Sequence, residues 1–194
     1  EGKMSSPRQI YSYLSNYFHK RNIIKKKNLK ALVTSGPTRE YIDPVRYISN
    51  ESSGKQGSEI ASALHRLGIK TILITGPSHQ TKLKGIKVKE IITADEMFHM
   101  VKKSLPVDVA VCAAAVADFK PVKKSSHKLK KDQITLKSIE IEKNKDILEY
   151  ISKNNKHRPK LVVGFSAESE KLNENSISKT KKKNCDLMIA NDIS

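Results

Sequence analysis

The stretch Leu29-Lys30-Ala31-Leu32-Val33-Thr34-Ser35-Gly36 decides the fold, because it is a short apolar run that ends in a glycine turn. Its length and composition predict a buried strand over 29–35. A helical stripe of apolar residues follows and stops at Gly68, and its members are Ile60, Ala61, Ala63, Leu64 and Leu67. The run 69–75 predicts a second strand, so this segment reads as a right-handed β-α-β unit.

The same alternation continues to the end of the sequence. Further strands are predicted over 86–92, 107–115, 161–165 and 187–190, and helices over 94–105, 144–154 and 170–184. The run 107–115 is apolar almost throughout, which is typical of a parallel strand buried on both faces. We therefore expect an α/β fold: a Rossmann-like, doubly wound, mostly parallel sheet. The stretch 38–53 is predicted to be a long irregular loop.

Two segments lie outside this alternation. Near the N-terminus, Ser6 can cap a short helix whose apolar face holds Ile10, Leu14, Tyr17 and Phe18. A basic linker over 20–30 follows it. Residues 133–142 alternate apolar and polar side chains, which predicts an extended arm that is partly open to water and able to pair with a second subunit.

Composition narrows the class of protein. The chain has 194 residues with 37 Lys and Arg against 20 Asp and Glu, a net charge of +17, and 37% hydrophobic residues, enough to exclude a fully disordered chain. Cys112 and Cys185 are far apart, so neither a disulfide framework nor a zinc site is supported. The apolar run 109–117 is far shorter than the roughly 18 residues that a membrane span needs. We expect a cytoplasmic protein that does not enter a membrane.

Several polar or small residues fall where predicted strands end, at the edge where open α/β sheets bind ligands. They are Gly36, residues 113–118, Phe165 and Asn191. Each has a plain structural alternative, since Ala113, Ala114 and Asp118 could form a packing site followed by a loop carboxylate. The stretch 52–57 is not a P-loop, because Gln56 follows Lys55 where Ser or Thr is required. Lys179 and Lys183 repel one another across a helical turn unless an anion lies between them, and a solvated basic face is the alternative.

Taken together, these stretches resemble the family of phosphopantothenate–cysteine ligases. The resemblance runs from about residue 29 to 194 and rests on segments that keep the family's order and spacing: 34–40, 42–50, 52–57, 113–119, 128–131, 164–168 and 190–192. The opening residues 1–7 look like the end of the flavin-dependent decarboxylase that bacteria fuse ahead of this ligase. The resemblance implies two parts: 1–28, the decarboxylase tail with the helix and linker, and 29–194, a ligase domain shortened at its C-terminus.

The family joins phosphopantothenate to cysteine through an acyl-cytidylate formed from CTP, in coenzyme A biosynthesis. The resemblance implies catalytic roles for Asn50 and Lys128 and a divalent metal, Mg²⁺, at Asp118. It implies nucleotide contacts from Ala113, Ala114, Asp118, Lys128, Asn144, Asp146, Ile147, Phe165, Lys179 and Lys183. It also implies a phosphate loop formed by Gly36, Ser52, Ser53 and Gly54. FMN would belong to the fused decarboxylase and not to this chain.

Lys145 stands where the family commonly has proline. We expect a homodimer whose arm supplies Lys128 near a shared interface, with no nucleic-acid partner. Two other hypotheses stay open at this point. The chain could be a degenerate fragment that keeps nucleotide binding or dimerisation without turnover. Alternatively, it could be a basic nucleic-acid-binding module, whose affinity would fall steeply with salt.

Overall fold

The computed structural model describes residues 6–20, 28–78, 83–130 and 138–194. The strands are β1 (Lys30–Ser35), β2 (Arg39–Tyr41), β3 (Tyr47–Ser49), β4 (Lys70–Thr75), β5 (Lys87–Glu90), β6 (Val109–Cys112), β7 (Phe119–Pro121), β8 (Ile141–Lys143), β9 (Leu161–Glu168) and β10 (Leu187–Asp192). The helices are α1 (Pro7–Lys20), α2 (Lys55–Arg66), α3 (Ala94–Ser104), α4 (Ile147–Ser152) and α5 (Leu172–Lys183).

The six long strands form one parallel sheet in the order β10-β9-β6-β1-β4-β5. In β1, Leu32 lies opposite Ile72 of β4 on one side and Ala110 of β6 on the other. The chain builds the sheet outward from β1 in one direction, then returns to build it in the other. This confirms the predicted Rossmann-like, doubly wound sheet.

The core forms a layer on each face of the sheet. Alternate residues of β1 point to opposite faces, so Ala31 and Val33 pack with α1 and α2, while Leu32 packs with α3 and α4. Helix α1 begins as predicted, with the Ser6 hydroxyl accepting the Gln9 amide at 3.3 Å. It contributes Ile10 and Leu14 to the first layer, so it shares the core of the domain.

The stretch 38–53 differs from the expected irregular loop. It contains an antiparallel hairpin in which β2 pairs with β3 and the rings of Tyr41 and Tyr47 meet edge to face at 5.4 Å. Glu40 of this hairpin is buried, and its Oε1 accepts the Ala94 amide at the start of α3 at 2.8 Å. The hairpin is therefore fixed to the body of the domain.

The predicted arm lies partly outside the described residues, since 131–137 are not among them. Its far end, β8, pairs antiparallel with β7 to form a two-stranded ribbon. Phe119, Ile139 and Ile141 are exposed on or beside this ribbon. Among the helices formed by described residues, none is both long and apolar enough to cross a bilayer.

Helix α2 touches β1 at a point where only glycine fits. A Cβ on Gly57 would lie 2.5 Å from both Cβ and Oγ of Ser35. Ser35 is fully buried in the central strand, and its hydroxyl donates to the Gly54 carbonyl at 2.7 Å. The close approach holds the start of α2 against the carboxyl end of β1.

We predict that Gly57→Ala destabilises the domain although alanine favours helices. The added Cβ would meet Ser35 Cβ, which moves only with the strand backbone, and the Thr34 carbonyl oxygen at 3.0 Å, so relieving the contact costs about 1–3 kcal/mol. The melting temperature should fall by several degrees in a thermal melt. Glu59→Ala, on the exposed side of the same helix, is the control and should change little; equal melting temperatures for the two variants would contradict the close packing.

Candidate functional site

A cleft of about 480 Å³ opens at the carboxyl ends of β1, β6 and β9, where the strand order reverses. Its lining includes predicted site residues from four parts of the chain: Ala114, Asp118, Asn144, Asp146, Ile147, Phe165, Lys179 and Lys183. Open parallel sheets bind ligands at this place because successive loops leave it in opposite directions. We call it the main cleft.

Other residues of the main cleft were not assigned a role from the sequence. Val116 and Ala117 fall within the predicted strand-end stretch 113–118, and the remaining ones are Thr34, Cys112, Lys145, Leu148, Lys182 and Met188. Lys182 belongs to the lysine run 181–183. This run indicates a basic segment, but it does not show which face of α5 meets the cleft. Leu148 and Met188 are apolar residues whose position depends on tertiary packing alone. Burial raises the pKa of the Cys112 thiol to about 12, so it stays protonated at neutral pH.

The lysines of the main cleft are paired with carboxylates. Lys179 Nζ lies 2.5 Å from Glu168 Oε1. Lys183 pairs with Asp146 and lies 3.2 Å from Glu149 Oε2. These pairs explain how two lysines one turn apart coexist without an anion between them, an alternative that the sequence did not show.

The charge on Lys183 is well supported. Partial burial works against the charge, yet the hydrogen bonds with Asp146 and Glu149 raise the pKa of Lys183 above its ordinary value. Hydrogen bonds from Lys153 and then Lys183 lower the pKa of Glu149. Lys183 therefore remains a cation at the wall of the main cleft over the whole physiological range of pH.

Asn144 connects two walls of the main cleft through its backbone and side chain. Its amide donates to the Asp118 carbonyl at 2.8 Å, and its Nδ2 donates to the Ala117 carbonyl at 2.9 Å. Its Oδ1 is buried and has no hydrogen-bond partner among the described residues. A buried acceptor without a donor is costly, so this atom marks a position where a ligand N–H would be favourable.

Beside the main cleft lies a second cleft of about 410 Å³, whose lining includes Asn50, Ser52 and Ser53. The Ser52 hydroxyl accepts the Gly54 amide and the Ser53 hydroxyl accepts the Lys55 amide, both at 3.3 Å. Asn50 joins the two clefts, because its Nδ2 donates to the carbonyl of Val116 at 2.9 Å and Val116 lines the main cleft. The two clefts are thus neighbours across one amide side chain.

The glycines of the predicted phosphate loop lie between β1 and α2. Gly36 has φ +70° and Gly54 has φ +71°, a backbone region that favours glycine. Both are buried, and a Cβ on Gly54 would lie 3.3 Å from Gly36 Cα. Side chains would separate the two turns, so glycine at both positions keeps them in contact.

Four predicted residues do not line either cleft: Gly36 and Gly54, which form the two glycine turns, and Ala113 and Lys128. Ala113 packs against the α1 and α2 layer of the core, so its neighbour Ala114 is the residue that faces the main cleft. Lys128 is exposed on the segment that follows β7, and it is not part of the lining of the main cleft. Within one chain, the structure therefore does not bring Lys128 to the predicted nucleotide-binding residues.

Comparison with known proteins gives the family. Residues 26–194 match the family described as DNA/pantothenate metabolism flavoprotein C-terminal domain. The "Coenzyme A biosynthesis bifunctional protein CoaBC" of Haemophilus influenzae is 38% identical over 197 residues, which cover 100% of this chain and 48% of that protein. The protein of the same name in Borreliella burgdorferi is also 38% identical, over 99% of this chain and 49% of its own length.

A solved structure agrees with this relationship. A crystal structure of the C-terminal domain of CoaBC has a TM-score of 0.71 and 34% sequence identity, and the match covers 82% of this chain and 75% of that one. The chain spans about half the length of the full relatives that it matches. On the family match and on these identities, the chain belongs to the DNA/pantothenate metabolism flavoprotein C-terminal domain family.

Proposed function

We propose that this domain joins phosphopantothenate to cysteine in coenzyme A biosynthesis and uses CTP to activate the carboxylate. The observation that carries the proposal is the main cleft, which lies at the reversal of strand order and has Lys179, Lys182 and Lys183 on one wall. Its relatives are named as coenzyme A biosynthesis proteins. Segments that carry the ligase resemblance contribute to both clefts: 113–119 and 164–168 to the main cleft, and 42–50 and 52–57 to the second.

The reaction has two steps. First, a carboxylate oxygen of phosphopantothenate bonds to the α-phosphorus of CTP and pyrophosphate leaves, which gives an acyl-cytidylate. Then the amine of cysteine bonds to the acyl carbon, CMP leaves and the amine loses a proton. The first step brings two anions together, so cations held in fixed positions contribute most of the stabilisation.

The lysines of α5 are the cations that we assign to the triphosphate. Lys179 and Lys183 are paired with Glu168 and Asp146, and phosphate oxygens of a bound nucleotide would replace these carboxylates as their partners. Lys182 lines the same wall and adds a further positive charge. The carboxylates hold the lysine side chains close to the cleft before the nucleotide binds, which reduces the entropy lost on binding.

We assign the base to the wall formed by Asn144 and Phe165. The buried Asn144 Oδ1 has no donor among the described residues, and the 4-amino group of cytosine is a donor of the required kind. Phe165 offers an aromatic surface in the same cleft. Uracil presents a carbonyl oxygen at that position and would leave two acceptors facing one another.

We assign a magnesium ion to Asp118, together with the phosphates. No group of three metal-ligating side chains exists in the parts of the chain that the structure describes. Magnesium is commonly bound by one or two carboxylates with phosphate oxygens and waters, so Asp118 in the main cleft fits this arrangement, while Asp146 is paired with Lys183. The ion would neutralise charge on the triphosphate.

Asn50 is assigned to the second step. Its Nδ2 is held by the Val116 carbonyl, which leaves Oδ1 to accept a hydrogen bond. The incoming cysteine amine is a donor, and Asn50 lies at the boundary of the two clefts where the acyl group and the amine would meet. Its work is to orient neutral groups rather than to neutralise charge.

Lys128 is assigned to the first step in the cleft of a second subunit. It is exposed and does not line the main cleft of its own chain. The neighbouring β7–β8 ribbon exposes Phe119, Ile139 and Ile141, an apolar surface that a second copy of the chain would cover. We propose a homodimer in which the segment between β7 and β8 brings Lys128 to the partner's cleft.

We predict that CTP with magnesium raises the melting temperature more than UTP or ATP does at equal concentration. A ligand at 100 times its dissociation constant stabilises the native state by about 2.7 kcal/mol. An unpaired buried polar group costs about 1–3 kcal/mol, so UTP should bind several-fold or more weakly. Equal shifts for the three nucleotides would contradict the assignment of Asn144.

The two steps should separate by mutation in the full-length protein. Lys128→Gln should suppress pyrophosphate release from CTP, magnesium and phosphopantothenate, because the charge is needed as the two anions meet. Asn50→Ala should still form the acyl-cytidylate and should slow its conversion when cysteine is added. Pyrophosphate release and recovery of the intermediate by mass spectrometry, with and without cysteine, measure the two steps.

A mixture of the two variants provides the control for the dimer. If Lys128 acts across the interface, mixed dimers contain one cleft with an intact Asn50 and a Lys128 supplied by the partner. Activity should then reappear on mixing. No recovery in mixtures shown to exchange subunits would contradict action across the interface, and full loss of pyrophosphate release in Asn50→Ala would contradict the division of work.

A further inference from the structure

Asp43 is a buried carboxylate that no step of the proposed reaction uses. It lies in the turn between β2 and β3, and none of its surface is exposed. Its Oδ1 accepts the amides of Val45 and Arg46, both at 2.8 Å. Its Oδ2 accepts Arg46 Nε at 2.9 Å and also pairs with Arg46 Nη2. The side-chain hydrogen bond from Arg46 holds the pKa of Asp43 well below its ordinary value, so the carboxylate is charged at neutral pH.

The same two side chains hold a distant segment by its backbone. The Leu129 amide donates to Asp43 Oδ2 at 3.2 Å, and the Leu129 carbonyl accepts Arg46 Nη2 at 2.8 Å. Four residues earlier, the Ser125 amide donates to the Ile42 carbonyl at 2.9 Å. The stretch 125–129 is therefore attached to the hairpin at both ends.

We infer that Asp43 and Arg46 are positioning residues that fix the segment carrying Lys128. This inference rests on the proposed function for the role of Lys128, while the attachment itself is visible in the structure. We call Asp43, Arg46 and the backbone of Leu129 the clamp. Lys128 adjoins the clamped residue, so its backbone is held while its side chain stays exposed.

The contacts of Asp43 and Arg46 extend beyond the turn between β2 and β3. The two Oδ1 hydrogen bonds already complete the turn between β2 and β3. Oδ2 and the guanidinium fork instead reach Leu129, which is 86 positions from Asp43 and 83 from Arg46. A planar fork can bridge a carboxylate and a carbonyl at once, which a lysine ammonium does less well. The side chain of Arg46 thus joins the hairpin to the segment before the arm.

The clamp can be tested by native-state proteolysis, which does not depend on activity. Asp43→Asn replaces one of two accepting oxygens with an amide NH2 group, a donor that faces other donors, and Arg46→Lys keeps the charge but loses the fork. Trypsin cleavage after Lys128 and Lys130 should become about 10-fold faster or more in both variants, because local opening exposes the backbone. Cleavage after Lys181 in α5 is the internal reference and should not change.

Asp108→Asn is the matched control. Asp108 also accepts a backbone amide, from Lys30 at 3.0 Å, and pairs with Lys160 at 3.0 Å, but it lies just before β6, at the amino ends of the strands and away from the clefts. It should lower stability without changing cleavage after Lys128. Unchanged cleavage in both Asp43→Asn and Arg46→Lys, with the fold retained by circular dichroism, would overturn the clamp.

A double-mutant cycle in the full-length protein tests whether the clamp acts through Lys128. Asp43→Asn should reduce the rate of pyrophosphate release about 10-fold to 100-fold at saturating CTP, as expected for a misplaced group. In the Lys128→Gln background the same change should cost less than about 2-fold. An equal loss in both backgrounds would show that Asp43 does not act through Lys128. If Lys128→Gln alone has no effect, the proposed role of Lys128 fails, while the cleavage rates still decide whether the clamp exists.

Discussion

The position of β1 between β4 and β6 is the constraint on which the rest of the structure depends. The sheet grows from β1 in both directions, so the loops after β1 and β6 leave toward opposite sides and a crevice opens between them. Gly57 allows α2 to approach β1 closely at this end, and the small residues after β6 leave room beside it. The main cleft follows from strand order, and the side chains around it then determine its chemistry.

The lysines of the main cleft that have carboxylate partners are held in fixed ion pairs. The chain carries a net charge of +17, yet Lys179 and Lys183 are each paired with carboxylates from other elements. Such pairs contribute little stability when exposed, but they hold flexible side chains near one wall. In the function that we propose, the polyphosphate of CTP would replace carboxylates already in place instead of collecting scattered lysines. This arrangement favours a defined small anion over a general polyanion surface.

Much of the sheet could be predicted from the sequence, because buried parallel strands are apolar runs and amphipathic helices have a clear period. Asp118 and Phe165 could be placed at the ends of predicted strands, because those strands are recognisable as apolar runs. Asn144 could be placed through the family resemblance. The hairpin over 39–49 could not, since strands of three residues carry no period and its stability comes from Asp43 and Glu40 contacting distant backbone. The partners of Lys183 also depend on packing, because Asp146 is 37 residues away.

The most direct measurement follows one oxygen atom through the reaction. Phosphopantothenate labelled with ¹⁸O in its carboxylate is incubated with CTP, magnesium, cysteine and the full-length protein. The masses of the products are then measured by mass spectrometry. Activation as an acyl-cytidylate transfers one carboxylate oxygen to the α-phosphorus, so the CMP released should carry one ¹⁸O. Unlabelled CMP, or a label that appears in inorganic phosphate with ATP as the required nucleotide, would contradict a cytidylate formed in the main cleft.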